Sequence, residues 1–218
     1  MLQPIMHVLS RQRIILASGS PRRKQILENV GLQFEVIPST FEETLDKSTF
    51  PSPAEYVLET ARHKTLQVAQ QLSQEKPPPD LVIGADTVVS MDGRIFEKPK
   101  DFQDAFNMLS GFSGRSHTVY TGVVLVTPEK KSENTDGVQG MKVHQFHEAT
   151  EVFMAPLTPD IVKSYIETGE PMDKAGGYGI QAQGGTLVEK VHGDYFNVMG
   201  FPLCRFAKEL LSLHNQQT

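Results

Sequence analysis

The sequence has a single cysteine and no long apolar run. These two features argue against a disulfide-stabilised protein and against a membrane-spanning one. Cys204 cannot form an internal disulfide, so a reducing compartment is expected. No apolar run approaches membrane-spanning length, and residues 1–12 lack the apolar segment of a signal peptide. These features predict a cytoplasmic protein without a membrane partner.

Positive charge is also scarce. Lysine and arginine number 21 against 26 aspartates and glutamates, which gives a net charge of −5. Because a protein that binds duplex nucleic acid is normally basic, no nucleic-acid partner is expected. A ligand with several negative charges would need cations concentrated at one place. The length of 218 residues and the 39% hydrophobic content fit one globular domain with room for two lobes.

Apolar and β-branched runs predict strands, and capping and proline signals predict helices between them. The predicted strands are Arg13–Ala17, Gln33–Ile37, Leu81–Ala85, Thr87–Met91, Thr118–Val126, Glu151–Met154 and Thr186–Val191. The predicted helices run from Pro21 to Val30, Pro53 to Gln74, Asp101 through Leu109, Thr158 to Gly169 and Pro202 to Leu213. Strands and helices alternate early and hairpins follow later, which predicts an α/β fold with a mixed sheet flanked by helices.

Turn residues add detail to this order. Asp92-Gly93 between two apolar runs predicts a hairpin. His192-Gly193 predicts a second, between Leu187–Val191 and Tyr195–Val198. The polar stretch Glu129–Gly140 is interpreted as a surface loop without an assigned function.

The segment Leu16–Arg23 has the features of an anion site. It joins a predicted buried strand to a helix, with Ser20 at the N-cap and Pro21 in the first turn. A helix N-terminus favours anions, and small residues let backbone amides approach a ligand. Arg22 and Arg23 add fixed positive charge at the same place. The pattern predicts a phosphate-binding site.

Asp86 follows the apolar run Leu81–Ala85, at the predicted carboxyl end of a buried strand. Open α/β sheets bind ligands at such ends. A carboxylate there can hold a metal ion or accept a proton from water. The alternative is an aspartate that caps the next turn.

Lys64 shares the apolar face of its predicted helix with Ala61 and Val68, three residues before it and four after it respectively. A lysine on that face either extends its ammonium to the edge of the helix or directs it into a cleft. A shared anionic ligand for Lys64, Arg22 and Arg23 favours the cleft.

Two further groups extend this set. Lys98 follows the Asp92-Gly93 hairpin, so the returning strand brings it near Asp86. Glu43, next to Glu42 and after a strand, is a candidate metal ligand. For each of these residues taken alone, an ordinary solvated side chain is the favoured interpretation.

The stretch Asp173–Gln181 is rich in glycine and contains an aromatic residue and an amide. Glycines allow close approach of a ligand, and the Gln181 amide can recognise the polar edge of a base. A flexible loop is the alternative. The spacing of the segment excludes a Walker phosphate loop.

Taken together, these segments resemble the Maf family of nucleoside triphosphate pyrophosphatases. The chain is especially similar to the Maf domain that precedes a methyltransferase domain in an animal protein. The resemblance implies one Maf domain over residues 13–213. The matching segments are Leu16–Arg23, Glu43, Lys64, Gly84–Thr87, Glu97–Pro99, Asp173–Gln181 and Asn197–Pro202.

The resemblance implies the fold of inosine triphosphate pyrophosphatases, a long bent mixed sheet with two lobes around a cleft. It also implies a divalent metal, Mg²⁺ or Mn²⁺, and a homodimer. Arg22, Thr87 and Gln181 match the branch of the family that acts on dTTP and UTP. The implied activity is hydrolysis to the monophosphate and pyrophosphate, in a role that sanitises the nucleotide pool.

Site residues follow from the same resemblance. Asp86 is the expected general base, Glu43 and Asp86 are the expected metal ligands, and Lys98 is the third expected catalytic residue. The expected substrate-binding residues are Ser18, Ser20, Arg22, Arg23, Lys64, Thr87, Lys174 and Gln181. Two other functions are weighed against this one: a non-catalytic nucleotide-binding regulator of growth or division, and a phosphomonoesterase acting on nucleotides.

Overall fold

The computed structural model describes residues 1–128 and 140–217, so all of the predicted surface loop except Gly140 lies outside the described residues. The helices are α1 Met6–Leu9, α2 Pro21–Asn29, α3 Pro53–Leu72, α4 Phe102–Phe112, α5 Pro159–Glu167, α6 Tyr195–Met199 and α7 Leu203–Gln217. The strands are β1 Ile14–Leu16, β2 Glu35–Val36, β3 Leu81–Met91, β4 Arg94–Phe96, β5 Ser116–Pro128, β6 Met141–Met154 and β7 Val188–His192. Within these ranges no helix combines the length and the apolar character that crossing a bilayer requires.

The seven strands form one mixed sheet in the order β2-β1-β3-β5-β6-β7, with β4 paired to β3. β1 is parallel to both β2 and β3, and every other pair is antiparallel. Helices pack on the sheet, so the predicted α/β class with a mixed sheet is confirmed. The Asp92-Gly93 hairpin is also confirmed, because it joins β3 to β4.

Three predictions about individual elements are wrong. The two strands predicted on either side of Asp86 are one continuous strand, β3. β6 is fourteen residues long, whereas the prediction had only its last four, because β6 pairs with β5 along its whole length. Tyr195–Val198 is not the second arm of a hairpin. It belongs to α6, where the Asp194 carboxylate accepts a hydrogen bond from the Phe196 N–H at 2.8 Å.

Helix α3 packs unusually close to the sheet at two glycines. The Ser52 hydroxyl accepts from the Glu55 N–H and fixes the first turn of the helix, as the capping pattern predicts. A Cβ atom at Gly84 would overlap the Thr65 side chain, and one at Gly122 would lie 2.9 Å from the Val57 carbonyl oxygen. The helix therefore crosses β3 and β5 where neither strand has a side chain in its way.

The apolar core has two main parts along β3. One part surrounds β1 and the first half of β3, with α1, α2 and α7 on one face and α3 on the other. The second part includes Val89, from the second half of β3, and residues of α4 and α5. A cleft opens between the two parts, next to the point on β3 where β1 has ended.

Candidate active site

The cleft has a volume of about 700 Å³ and is lined by every residue that the sequence pattern selects. These residues come from the loop after β1, from α2, α3 and β3, and from the loops around residues 43, 98 and 174–181. They are Ser18, Ser20, Arg22, Arg23, Glu43, Lys64, Asp86, Thr87, Lys98, Lys174 and Gln181. Segments far apart in the chain thus form one continuous surface.

Lys64 lies between two carboxylates. Its Nζ atom is 2.7 Å from Asp86 Oδ1 and 2.7 Å from Glu43 Oε1. The side chains of Lys64 and Asp86 are 14% and 11% exposed, whereas that of Glu43 is 43% exposed. The pair is therefore buried at the base of the cleft and Glu43 closes it from the solvent side. This arrangement confirms that Lys64 points into a cleft.

Asp86 lies inside a strand and not at its end, which corrects the predicted position. Its parallel neighbour β1 ends at Leu16, which is level with Ile83. Beyond that level the edge of β3 faces the cleft, so a residue in mid-strand reaches the ligand space. Burial raises the pKa of the Asp86 carboxyl, and the cations of Lys64 and Arg23 oppose that rise.

Arg23 joins β3 to the loop after β1 and to the end of α6, which together form the inner wall. Its guanidinium donates to the Ser18 hydroxyl at 2.9 Å, to the Thr87 hydroxyl at 3.0 Å and to the Gly200 carbonyl at 2.9 Å. The Ser20 side chain makes no capping hydrogen bond, although Ser20 is the N-cap residue of α2. The hydroxyl at the start of α2 is therefore available to a ligand.

The outer wall contains a second group of charges. Arg22 donates to the Asp173 carboxylate at 3.0 Å. Lys174 donates to the same carboxylate and to the Glu170 carbonyl, both at 2.6 Å. Hydrogen bonds and charge from Lys174 and Arg22 overcome the effect of burial and lower the pKa of Asp173.

Glu97 supports the neighbouring Lys98. Its two carboxylate oxygens accept hydrogen bonds from the Tyr56 hydroxyl at 2.5 Å and from Lys47 Nζ at 2.6 Å. Its carbonyl oxygen accepts from the Gly176 N–H at 3.0 Å. Burial favours a higher pKa for Glu97, but these donors outweigh it and the pKa is lowered. Lys98, which follows Glu97 in the chain, is exposed and lines the cleft.

The glycine-rich loop is held by Glu170, which the sequence pattern did not reveal. The Glu170 carboxylate accepts from the Tyr165 hydroxyl and from the Gly184 N–H, each at 3.0 Å. The Tyr165 hydroxyl in turn accepts from the Gly179 N–H at 3.0 Å. Gln181 lies exposed at the edge of the cleft beyond this support.

The sequence analysis gave no role to several lining residues, among them Phe41, Lys100 and Tyr178. Lys100 follows Lys98 by two residues and lines the same cleft. Phe41 stacks on His63 with ring centroids 4.9 Å apart, and no spacing rule indicates such a contact. Tyr178 lies within the segment that the pattern selected but had no role.

Comparison with known proteins decides the family. A family model described as "Maf-like protein" matches residues 13–213. The chain belongs to the Maf family. The expectation drawn from the sequence is therefore confirmed over nearly the whole chain.

Curated Maf relatives cover the same region. A human protein named "Probable bifunctional dTTP/UTP pyrophosphatase/methyltransferase protein" is 51% identical over 214 residues, which is 98% of this chain. A Clostridium perfringens protein named "dTTP/UTP pyrophosphatase" is 44% identical over 91% of this chain and 95% of its own length. An Agathobacter rectalis protein of the same name is 44% identical over 92% and 97%. The chain spans about a third, 34%, of the human relative.

Proposed function

We propose that this Maf chain hydrolyses dTTP or UTP between the α- and β-phosphates, releasing the nucleoside monophosphate and pyrophosphate. The names of the human and bacterial relatives support the substrate and the reaction. The charges of the cleft independently support a ligand with several phosphates, because a chain of net charge −5 places six cations around one space. They are Arg22, Arg23, Lys64, Lys98, Lys100 and Lys174.

The buried Lys64–Asp86 contact is the observation on which this proposal rests. Asp86 is the carboxylate at the base of the cleft, and burial raises its pKa towards the range useful for a general base. The positive charge of Lys64 favours the ionised form of Asp86. In the proposed step Asp86 takes a proton from that water as its oxygen bonds to the α-phosphorus. The bond from the α-phosphorus to the bridging oxygen breaks, and pyrophosphate leaves.

The triphosphate is bound by the cations above it. Arg22, Arg23 and Lys98 bind its oxygens, and the Ser18 and Ser20 hydroxyls at the start of α2 complete the site. Positive groups that already surround the phosphates stabilise the charge that develops on the leaving group. Lys174 is held by Asp173 and Glu170 at the outer wall, and in this proposal it also binds the phosphates.

A divalent metal fits the donors that are present. Asp86 Oδ1 and Glu43 Oε1 converge on one cation position, which the Lys64 ammonium occupies. No group of three or more histidine, cysteine, aspartate or glutamate side chains suited to a metal occurs in residues 1–128 and 140–217. Two carboxylates with substrate phosphates and water are the usual Mg²⁺ environment, and Mn²⁺ accepts the same donors. When bound, the metal would neutralise phosphate charge and polarise the scissile bond.

In this proposal Gln181 selects the base. Its amide is exposed at the cleft edge and can pair with the donor and acceptor edge of uracil or thymine. The Thr87 hydroxyl is already bonded to Arg23 and lies 3.0 Å from the Thr121 hydroxyl. Thr87 therefore acts on the ligand through Arg23.

Three further parts of the proposal rest on the family resemblance: a cytoplasmic location, a homodimer and a role in sanitising the nucleotide pool. The homodimer is tested by light scattering of the purified chain after size-exclusion chromatography. A mass of twice 24.2 kDa supports it, and a mass of 24.2 kDa contradicts it.

Product analysis tests the reaction itself. The protein is incubated with dTTP, UTP, CTP and GTP in Mg²⁺, and the products are separated by anion-exchange chromatography. Monophosphate and pyrophosphate in equal amounts support the proposal. Inorganic phosphate alone would indicate a phosphomonoesterase, and binding without products would indicate a nucleotide-binding regulator.

A further inference from the structure

The Tyr178 side chain joins the glycine-rich loop to the sheet. Its hydroxyl oxygen lies 2.7 Å from Nε2 of His117, a residue of β5 that is 61 positions earlier in the chain. The two residues are 5% and 2% exposed. Gln181 follows Tyr178 by three residues, so a shift of Tyr178 moves the backbone that presents Gln181 to the cleft.

His117 makes this contact from an apolar environment. Its ring stacks on Phe112 with centroids 4.6 Å apart, and Tyr178 meets its edge at 5.3 Å. Burial lowers the pKa of His117 to about 4, so the imidazole is neutral at pH 7. Among the described residues the Tyr178 hydroxyl is the hydrogen-bond partner of the ring, and Nδ1 is buried without one.

Packing alone does not explain an imidazole at this position, because one of its nitrogens is buried without a hydrogen-bond partner. Two phenylalanine rings, at positions 117 and 178, would fill a similar space, stack on Phe112 and leave no polar atom unpaired. The histidine instead keeps one orphaned nitrogen and places the other against Tyr178. Buried polar pairs of this kind fix one arrangement among several that pack equally well. What His117 fixes is the position of Tyr178 and therefore of the loop.

We infer that His117 is a positioning residue for nucleobase selection, acting through Tyr178 on the loop that contains Gln181. The inference rests on the proposed function, since it takes a pyrimidine nucleotide as the ligand. The His117–Tyr178 contact is separate from the Lys64–Asp86 contact, which joins α3 to β3. A change at His117 is therefore expected to alter the choice of base more than the hydrolytic step.

The test compares two ligands that differ only at the base edge. UMP and CMP binding is measured by calorimetry for the wild type, H117F, H117Q and Y178F, and kcat/KM is measured for UTP and CTP. Loss of the buried hydrogen bond in H117F is expected to reduce the preference for uracil about tenfold, with KM for UTP changed more than kcat. In H117Q the polar atoms of the amide are the same number of bonds from Cβ as Nε2 of histidine. H117Q is therefore expected to restore most of the preference for uracil.

Three controls separate positioning from general damage. I166A removes side-chain volume from the apolar cluster that contains Phe112 and Tyr178. It is therefore expected to lower the melting temperature without changing the ratio of UMP to CMP affinity. Q181A is expected to reduce the ratio directly. Y178F is expected to match H117F, and the double variant H117F/Y178F to be no worse than either single one, because both remove the same bond.

The possible outcomes are distinct. An unchanged ratio in H117F, or in Y178F where H117F does not fold, overturns the inference, as does an H117Q protein no better than H117F. A wild type that does not prefer UMP overturns it too. Absence of pyrophosphate from UTP with the wild type contradicts the proposed function instead, and the monophosphate binding ratio still decides the role of His117.

Discussion

Lys64 Nζ lies 2.7 Å from Asp86 Oδ1 because helix α3 crosses β3 over Gly84, two residues before the aspartate. The absence of a side chain at Gly84 lets the helix approach the strand closely enough for a lysine on its inner face to reach a mid-strand carboxylate. The geometry of the proposed chemistry thus depends on a packing detail of the sheet.

The first prediction concerns Asp86. D86N keeps the size of the side chain but cannot accept the proton of water, so kcat is expected to fall by roughly 10²–10⁴-fold with a smaller change in nucleotide affinity. Steady-state kinetics with UTP and binding of UMP measure the two effects. D92N changes an exposed aspartate outside the cleft and is the control. Near-normal turnover by D86N would remove Asp86 from the proposed mechanism.

The second prediction concerns the cation position between Asp86 and Glu43. K64M removes the ammonium and leaves two carboxylates facing each other, so Mg²⁺ without nucleotide is expected to raise the melting temperature of K64M more than that of the wild type. K98M, which also loses one lysine from the cleft, is the control. The double variant K64M/E43Q should lose the extra stabilisation. Equal responses to Mg²⁺ in K64M and the wild type would contradict a metal position at these carboxylates.

The third prediction concerns the contact at Gly84. A methyl group there would overlap Thr65, so G84A is expected to lower the free energy of unfolding by about 1–3 kcal/mol and to reduce activity. G84A/T65A should recover part of the loss. G111A is the matched control, because a Cβ at Gly111 in α4 meets nothing within 4 Å. Denaturant unfolding compares the variants, and equal stability of G84A and G111A would refute the packing argument.

The fourth prediction is a pH dependence of stability caused by His117. Its pKa is about 4 in the folded protein against 6.5 as the ordinary value, so between these two values the unfolded chain binds a proton that the folded chain does not. This contribution to stability is complete above pH 6.5 and declines as the pH falls to about 4, by at most about 3 kcal/mol. Unfolding curves measured from pH 7.5 to 4 should show a steeper loss in the wild type than in H117F. Parallel losses would contradict the assigned pKa.

The sequence allowed the site to be predicted better than the sheet. Short motifs selected eleven residues, and all of them line one cleft, although Lys64 lies in the middle of α3 and Asp86 in the middle of β3. The length of β6 could not be predicted, because its extended form comes from pairing with β5 and not from an apolar alternation of its own. Tyr195–Met199 has strand-forming residues, yet the Asp194 cap and the positive φ of 107° at Gly200 make it a helix.

The supporting residues of the site were the hardest to predict. Glu170 and His117 act through contacts with residues between 5 and 61 positions away, and neither lies in a motif with a recognised spacing. The mid-strand position of Asp86 also depends on where β1 ends, which is a property of two strands together. Local patterns identify the groups that line the cleft, whereas the residues that support those groups become evident only in the folded structure.

The contacts of Glu97 affect any attempt to change the nucleotide preference proposed for this chain. Its side chain is bonded to Tyr56 and Lys47 beside Lys98, and its carbonyl is bonded to Gly176 in the loop that leads to Gln181. Glu97 thus supports both Lys98, which is proposed to bind the phosphates, and the loop that leads to Gln181, which is proposed to bind the base. An engineer who alters Glu97 would disturb both at once, so redesign of base preference is better directed at Gln181, with Glu97 left unchanged.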